Sequence, residues 1–310
     1  MTSTPPGGEP RFSRDELIAA LGAEPERAQR LWNAFGFARR HTDEKIFTQR
    51  DVDALALLVE SSKAIPEDEQ VATARAVGQT MARLADWEAD MLAELSRNPA
   101  ITWSTEEMAV ALGGVQQLVW RRHLDIALAR ESIDDEAAES QRLAGVRTTE
   151  AVGFADIVGY TSLSRRIDMP GLETLLEKFE DRVHEVITAH GGQVVKTLGD
   201  AVLFTNTDAQ AAAETAIEIQ ERVANVDPVP QLRVGMALGE ILNRHGDVFG
   251  EPVNIASRLC GSARPGTILV DAGFAAQADG DRYRLSSIRP LSVRGYRRLR
   301  AWTLGRPRTH

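Results

Sequence analysis

The 310-residue chain carries 36 Lys and Arg against 45 Asp and Glu, a formal charge of −9, with 43% hydrophobic residues and one cysteine, Cys260. That length suits about two globular domains, the cysteine count excludes an intrachain disulfide framework, and the lack of any 18-residue apolar run predicts no membrane span. Residues 1–145 hold 16 Lys and Arg against 25 Asp and Glu, while residues 146–310 hold 20 of each, so the first half is a poor nucleic-acid surface and the second can host an anionic nucleotide together with cations.

Residues 1–10 are polar and read as a disordered tail without the basic-then-apolar order of a signal peptide, so a cytoplasmic location is expected. Residues 11–131 read as helical. Ser13 and Glu16 form a capping box ahead of Leu17, Ile18 and Leu21, and Gly22 stops that helix. Ala28, Leu31, Trp32 and Phe35 mark a second helix, Thr48 caps a third through Leu55, Leu58 and Val59, and long helices are predicted near 67–96 and 104–131. Residues 132–145 are acidic with few large apolar side chains and read as a linker.

From 146 to 310 strands alternate with helices. An apolar run over 150–158 predicts a buried strand. Pro170 opens a helix whose Leu172, Leu175, Leu176, Phe179, Val183, Val186 and Ile187 recur at helical spacing, ended by Gly191-Gly192. Gln193–Leu198 and Ala201–Thr205 flank a Gly199-Asp200 hairpin turn. Asp208 caps an Ala-rich helix to about Val226, and Leu232–Leu238 is the next strand. The order strand–helix–strand–strand–helix–strand is that of a split βαβ unit, giving an α+β, ferredoxin-like domain behind an all-α one. A helix at 253–262, a strand at 267–270, a helix at 272–278 and two terminal strands near 283–293 and 299–304 complete the chain.

Two aspartates carry the chemistry. Asp156 ends the first apolar strand and Asp200 sits in the hairpin turn, and the split βαβ arrangement brings both carboxylates to one edge. Two close carboxylates repel each other, so their pairing predicts two divalent cations shared with substrate phosphates. Downstream, Asp247-Val248-Phe249-Gly250 leads into a helix carrying Asn254 and Arg258 four residues apart, on one helix face.

The strings FADIVGYTSLS, VVKTLGDAVL and GDVFGEPVNIASRL together resemble the class III nucleotidyl cyclase catalytic domain over about residues 147–305. Members of that family convert a purine nucleoside triphosphate to the 3′,5′-cyclic monophosphate and pyrophosphate as head-to-tail dimers. The resemblance implies Mg²⁺ or Mn²⁺, two per site, held by Asp156, Asp200 and the main chain of Ile157. It implies Lys196 and Asp247 as readers of the purine edge, where a Lys donor and an Asp acceptor complement adenine, hence ATP. Asn254 and Arg258 match the transition-state pair; Gly159, Tyr160 and Thr161 match the segment that approaches the triphosphate. Arg297, with Arg294 as the other candidate, lies where the family often places a cation for the terminal phosphates. Since one chain carries both half-sites, a homodimer with two composite sites is expected.

The N-terminal segment, with Arg27–Phe37 and Phe47-Thr48-Gln49-Arg50-Asp51-Val52, is similar to the helical regulatory domain of soluble actinobacterial adenylate cyclases. It is also similar to a MerR-type helix-turn-helix, but its acidic balance argues against nucleic acid. The expected function is an adenylate cyclase, a phosphorus–oxygen lyase, regulated by its helical domain. The alternatives are a guanylate cyclase or a non-catalytic, nucleotide-binding or DNA-associated regulator. Histidines 41, 123, 184, 190 and 245 titrate in the range a pH response would need.

Overall fold

A computed structural model of the chain describes residues 9–37, 44–61, 64–131, 146–244, 246–278 and 280–307. The linker read at 132–145, His41, His245 and most of the predicted N-terminal tail lie outside the described residues. The chain separates into two compact units, Met1–Ala137 and Ala138–His310.

The first unit is helical: α1 (Arg14–Ala20), α2 (Pro25–Ala34), α3 (Gln49–Ser61), α4 (Glu67–Leu95) and α5 (Thr105–Glu131). The capping box forms as predicted. The Ser13 amide donates to Glu16 Oε2 at 2.8 Å and the Glu16 amide donates to Ser13 Oγ at 3.3 Å. Thr48 and Asp51 satisfy the first turn of α3 in the same reciprocal way. Trp32 packs edge-on to Phe47 and against Phe37, and α4 approaches the end of α2, its Arg27–Gln70 and Arg30–Glu67 contacts bridging the two helices. Helix α5 mixes apolar and charged residues without a distinct apolar face, and Val115, Leu118, Val119, Trp120 and Ile126 are exposed on it.

The second unit is built on β1 (Val146–Ile157), α6 (Tyr160–Leu163), α7 (Met169–Ala189), β2 (Gln193–Thr197), β3 (Ala201–Asn206), α8 (Ala209–Glu218), β4 (Leu232–Arg244) and β5 (Asp247–Phe249). It continues with α9 (Glu251–Ser262), β6 (Ile268–Val270), α10 (Ala272–Gln277), β7 (Arg284–Ser287), β8 (Leu291–Val293), β9 (Tyr296–Leu299) and β10 (Trp302–Gly305). The main sheet runs β2-β3-β1-β4-β6-β10-β7 with β5 paired to β4, and β8-β9 form a separate ribbon. The β2-β3-β1-β4 portion is antiparallel throughout, as the split βαβ order requires.

Alternation along the strands divides two cores. Ala151, Ala155 and Ile157 of β1 and Leu232, Val234 and Met236 of β4 face α7 and α8, with Phe179, Val183, Phe204 and Ala216 fully buried between them. Val152 and Phe154 face the other way with Leu203 and Ala237, against Ala256 of α9. Burial of Phe179 and of Phe204 stabilises by ~1.5–3 kcal/mol each.

The structure corrects several boundaries. Strand β4 reaches Arg244 rather than ending at Leu238, and β1 starts at Val146. The Ala-rich helix stops at Glu218 and passes into a π turn over Ile219–Val223. Four short strands replace the two expected after 283, because Gly295, at φ +90°, turns Leu291–Val293 back onto Tyr296–Leu299.

Candidate active site

Asp156 lies at the end of β1, two residues beyond Phe154 in the alternation, on the face that α9 covers. Directly across β3 its register partner is Ala201, and the Asp200 carbonyl accepts from the Ile157 amide at 3.0 Å. The hairpin turn that carries Asp200 closes through the Leu198 amide donating to the Ala201 carbonyl at 2.7 Å. Gly199 at φ +67° gives that turn a conformation other residues rarely adopt. The two carboxylates therefore meet, as their places in the sequence predicted.

Their electrostatics follow from this proximity. Burial pushes the Asp156 carboxyl above the usual carboxylate range, Arg233 pulls it back, and the neighbouring Asp200 charge raises it again. Two adjacent carboxylates at a half-buried strand end are hard oxygen donors whose mutual repulsion a divalent cation relieves, so the residues present fit Mg²⁺ or Mn²⁺. No cluster of three or more His, Cys, Asp or Glu suited to a metal exists among the described residues. A cation here would take its remaining oxygens from main chain, water and substrate phosphates, the pattern favoured by Mg²⁺.

Lys196 and Asp247 form a second cluster. Lys196 Nζ donates to Asp247 Oδ2 at 2.5 Å. A register shift in β2 between Val194 and Lys196 sets Lys196, rather than Val195, opposite Leu203 of β3. Asp247 opens β5, paired with Arg244, and its Oδ1 accepts from the Val248 amide at 2.9 Å. Among the described residues no hydrogen bond or ion pair joins this cluster to the carboxylate pair.

Helix α9 carries Asn254, exposed, and Arg258, half-buried, one turn apart. Asn254 Nδ2 donates to the Gly250 carbonyl at 3.4 Å. The helix lies close to β4: a Cβ on Gly235 would stand 2.0 Å from the Cys260 amide nitrogen. Cys260 itself is buried, and desolvation first, then the Asp156 charge, pushes its thiol up to about 12, which keeps it protonated and unreactive.

Gly159, at φ +72°, caps the short α6 that starts with Tyr160 and Thr161. Tyr160 packs on the α7 side of the core, while Thr161 is exposed. Arg294 and Arg297 are exposed on the β8–β9 ribbon and make no ion pair among the described residues.

Two residues near the site escaped the sequence reading. Arg233 donates from Nε to Asp156 Oδ2 at 2.6 Å and contacts the same oxygen through Nη2. Its signal was a lone charge at the head of the apolar run Leu232-Arg233-Val234-Gly235-Met236. Tyr296 of β9 lies beside α9: burial raises its phenol, the Glu251 charge adds to that, and Arg258 opposes it. Nothing in the sequence spacing connects Tyr296 with α9.

Residues 147–306 match the family described as the adenylate and guanylate cyclase catalytic domain. An adenylate cyclase of Streptomyces coelicolor is 39% identical over 284 residues, which is 87% of this chain and 72% of that protein. An adenylate cyclase of Glutamicibacter nicotianae is 33% identical over 312 residues, 94% of this chain and 77% of that one. In fold, the catalytic core of a rhodopsin-guanylyl cyclase with converted specificity, in complex with ATPalphaS, superposes with a TM-score of 0.50 at 21% identity over 53% of this chain and 98% of that one.

Proposed function

The chain belongs to the adenylate and guanylate cyclase catalytic domain family, and from that membership we propose that it is an adenylate cyclase, converting ATP to 3′,5′-cyclic AMP and pyrophosphate at composite sites of a homodimer. The observation that carries the choice of ATP is the Lys196–Asp247 pair, 2.5 Å apart although Lys196 lies on the edge strand β2 and Asp247 on β5, which pairs with β4. The adenine edge offers an acceptor at N1 and a donor amino group at C6. An ammonium donor beside a carboxylate acceptor complements that edge, whereas guanine, with N1–H and O6, reverses it. Mispairing of such partly buried groups costs ~1–3 kcal/mol.

The remaining residues divide the work. Asp156, Asp200 and the Ile157 carbonyl of one protomer hold the divalent cations. When bound, these supply positive charge that acidifies the ribose 3′-hydroxyl and offsets the triphosphate. The amides after Gly159, with Tyr160 and Thr161, approach the phosphate oxygens. From the other protomer Asn254 orients the ribose, and Arg258 stabilises charge developing on the α-phosphate. Arg297 serves the terminal phosphates. The reaction then asks for positioning and charge complementarity rather than a covalent intermediate.

Residues 1–10 serve as a tail, 11–131 as a regulatory and dimerising domain, 132–145 as a linker and 146–310 as the catalytic domain. The exposed apolar residues of α5 support the dimerising role, since a surface of that kind seeks a cover. No helix among the described residues is long and apolar enough to cross a membrane. The test is direct: purified protein is incubated with ATP and Mn²⁺ or Mg²⁺, and cyclic AMP and pyrophosphate are measured. ATP bound but not turned over, or GTP turned over in preference, refutes the assignment.

A further inference from the structure

Arg233 stands in an unusual position for an arginine that pairs with a carboxylate. Asp156 and Arg233 are register partners across β1 and β4. Alternation sends both side chains to the α9 face, and the guanidinium grips one carboxylate oxygen, Oδ2, through both Nε and Nη2. Other ion pairs of this unit, such as Arg306 with Glu214 and Glu221 or Arg222 with Glu218 and Glu185, have more exposed side chains on both partners. Asp156 is different: it is one of a close pair, and its side chain is 13% exposed. Without a counter-charge the pair would stand as two anions at a poorly solvated strand end. Arg233 is the cation in contact with Asp156 among the described residues. Its side chain is 31% exposed, and Nη1 already has a second anchor, the Gly261 carbonyl in the last turn of α9, at 3.4 Å. The guanidinium thus has both a route off the carboxylate and a place to rest.

We propose that Arg233 is a resident placeholder cation: a positioning residue that holds Asp156 Oδ2 in the cation-free enzyme and must be outcompeted or displaced when a divalent ion enters. The proposal rests on the reading of Asp156 and Asp200 as the cation ligands. Its consequence is a coupling. With Arg233 in place the two carboxylates present one net negative charge, and an entering divalent ion meets an unscreened guanidinium on the same oxygen. Phosphate oxygens brought by the nucleotide restore the missing negative charge. Arg233 therefore keeps the site weak toward free cations and lets it fill when the triphosphate arrives.

The experiment measures Mn²⁺ binding, by the loss of the free-ion paramagnetic resonance signal, to the full chain without nucleotide. Thermal melts are recorded with and without Mn²⁺. Arg233→Gln removes the charge and keeps a polar group on a shorter stem. It should bind Mn²⁺ at least about tenfold more tightly than the natural chain, since the charge removed lies in the binding pair itself. Its melting temperature should be lower without metal and should rise more on adding Mn²⁺. Arg233→Lys keeps the charge and should stay near the natural affinity, which a loss of packing alone would not predict. Should Arg233→Gln fail to fold, Arg233→Met, neutral and unbranched, takes its place. Equal or weaker Mn²⁺ binding by a folded neutral variant overturns the proposal. If that happens while Asp200→Asn abolishes Mn²⁺ binding, the carboxylate pair remains the cation site and only the role of Arg233 falls. If neither the natural chain nor any neutral variant binds Mn²⁺, both readings fall.

Discussion

Replacing Lys196 by methionine separates recognition from stability. The Lys196 and Asp247 side chains are 39% and 34% exposed. An ion pair that wet contributes only ~0–1 kcal/mol, so Lys196→Met, of similar length, should lower the melting temperature by no more than ~2–4 °C in a domain of this size. The effect on turnover is larger, because in the proposed complex the purine edge covers the pair and depends on both of its members. Adenine N1 then lacks its donor and Asp247 its partner, which costs ~1–3 kcal/mol, or roughly 5- to 150-fold in kcat/KM for ATP. GTP should lose less, since its N1–H faced the ammonium donor to donor, and the ATP/GTP ratio of kcat/KM should fall accordingly. The assay is initial-rate formation of cyclic AMP and cyclic GTP over a range of substrate, with a melt on the same sample. A folded Lys196→Met enzyme whose ATP/GTP ratio is unchanged refutes the base-reading argument.

Asp156→Ala and Arg258→Ala should each be inactive alone, yet mixed they should regain part of the activity, because one of the two sites in each heterodimer is then intact. Heterodimers verified by differential tags but without turnover would speak against shared sites. Gly235→Ala places a methyl group 2.0 Å from the Cys260 amide nitrogen, so α9 must shift off β4. The expected loss is ~1–3 kcal/mol or more in urea unfolding, and a variant as stable as the parent would contradict the packing. The Glu218 carboxyl is held below its ordinary value of 4.5 by Arg222 first and His190 second. A depressed folded value means the stabilisation is present above that ordinary value and lost as the pH falls through the folded one. Glu218→Gln should therefore cost ~1 kcal/mol at pH 7 and progressively less as the pH is lowered through the folded value, read from denaturation across an acid series; a cost that does not change with pH would exclude the charge effect.

Local chemistry in the chain is enough to locate the helices of the first unit and most strands of the second. Ser13 and Glu16, three apart, can satisfy one another's amides only at a helix start, and the Leu175–Phe179–Val183–Val186 spacing needs one buried helix face. The same holds for the meeting of Asp156 and Asp200. A strand end and a Gly-Asp turn in a split βαβ order leave few other arrangements.

What depends on non-local register is not legible in this way. Whether Lys196 or Val195 stands opposite Leu203 turns on a one-residue shift in β2, and a shift of one residue exchanges faces. The pairing of Asp156 with Arg233, 77 positions apart, exists because β4 extends antiparallel along β1 over its full length and both side chains point toward α9. The approach of Tyr296 to Glu251 and Arg258 likewise comes from the β8–β9 ribbon folding beside α9. Periodicity reports which face of its own element a residue takes. Which distant residue stands opposite is decided when the sheet assembles, because cross-strand neighbours are set by register and not by spacing along the chain.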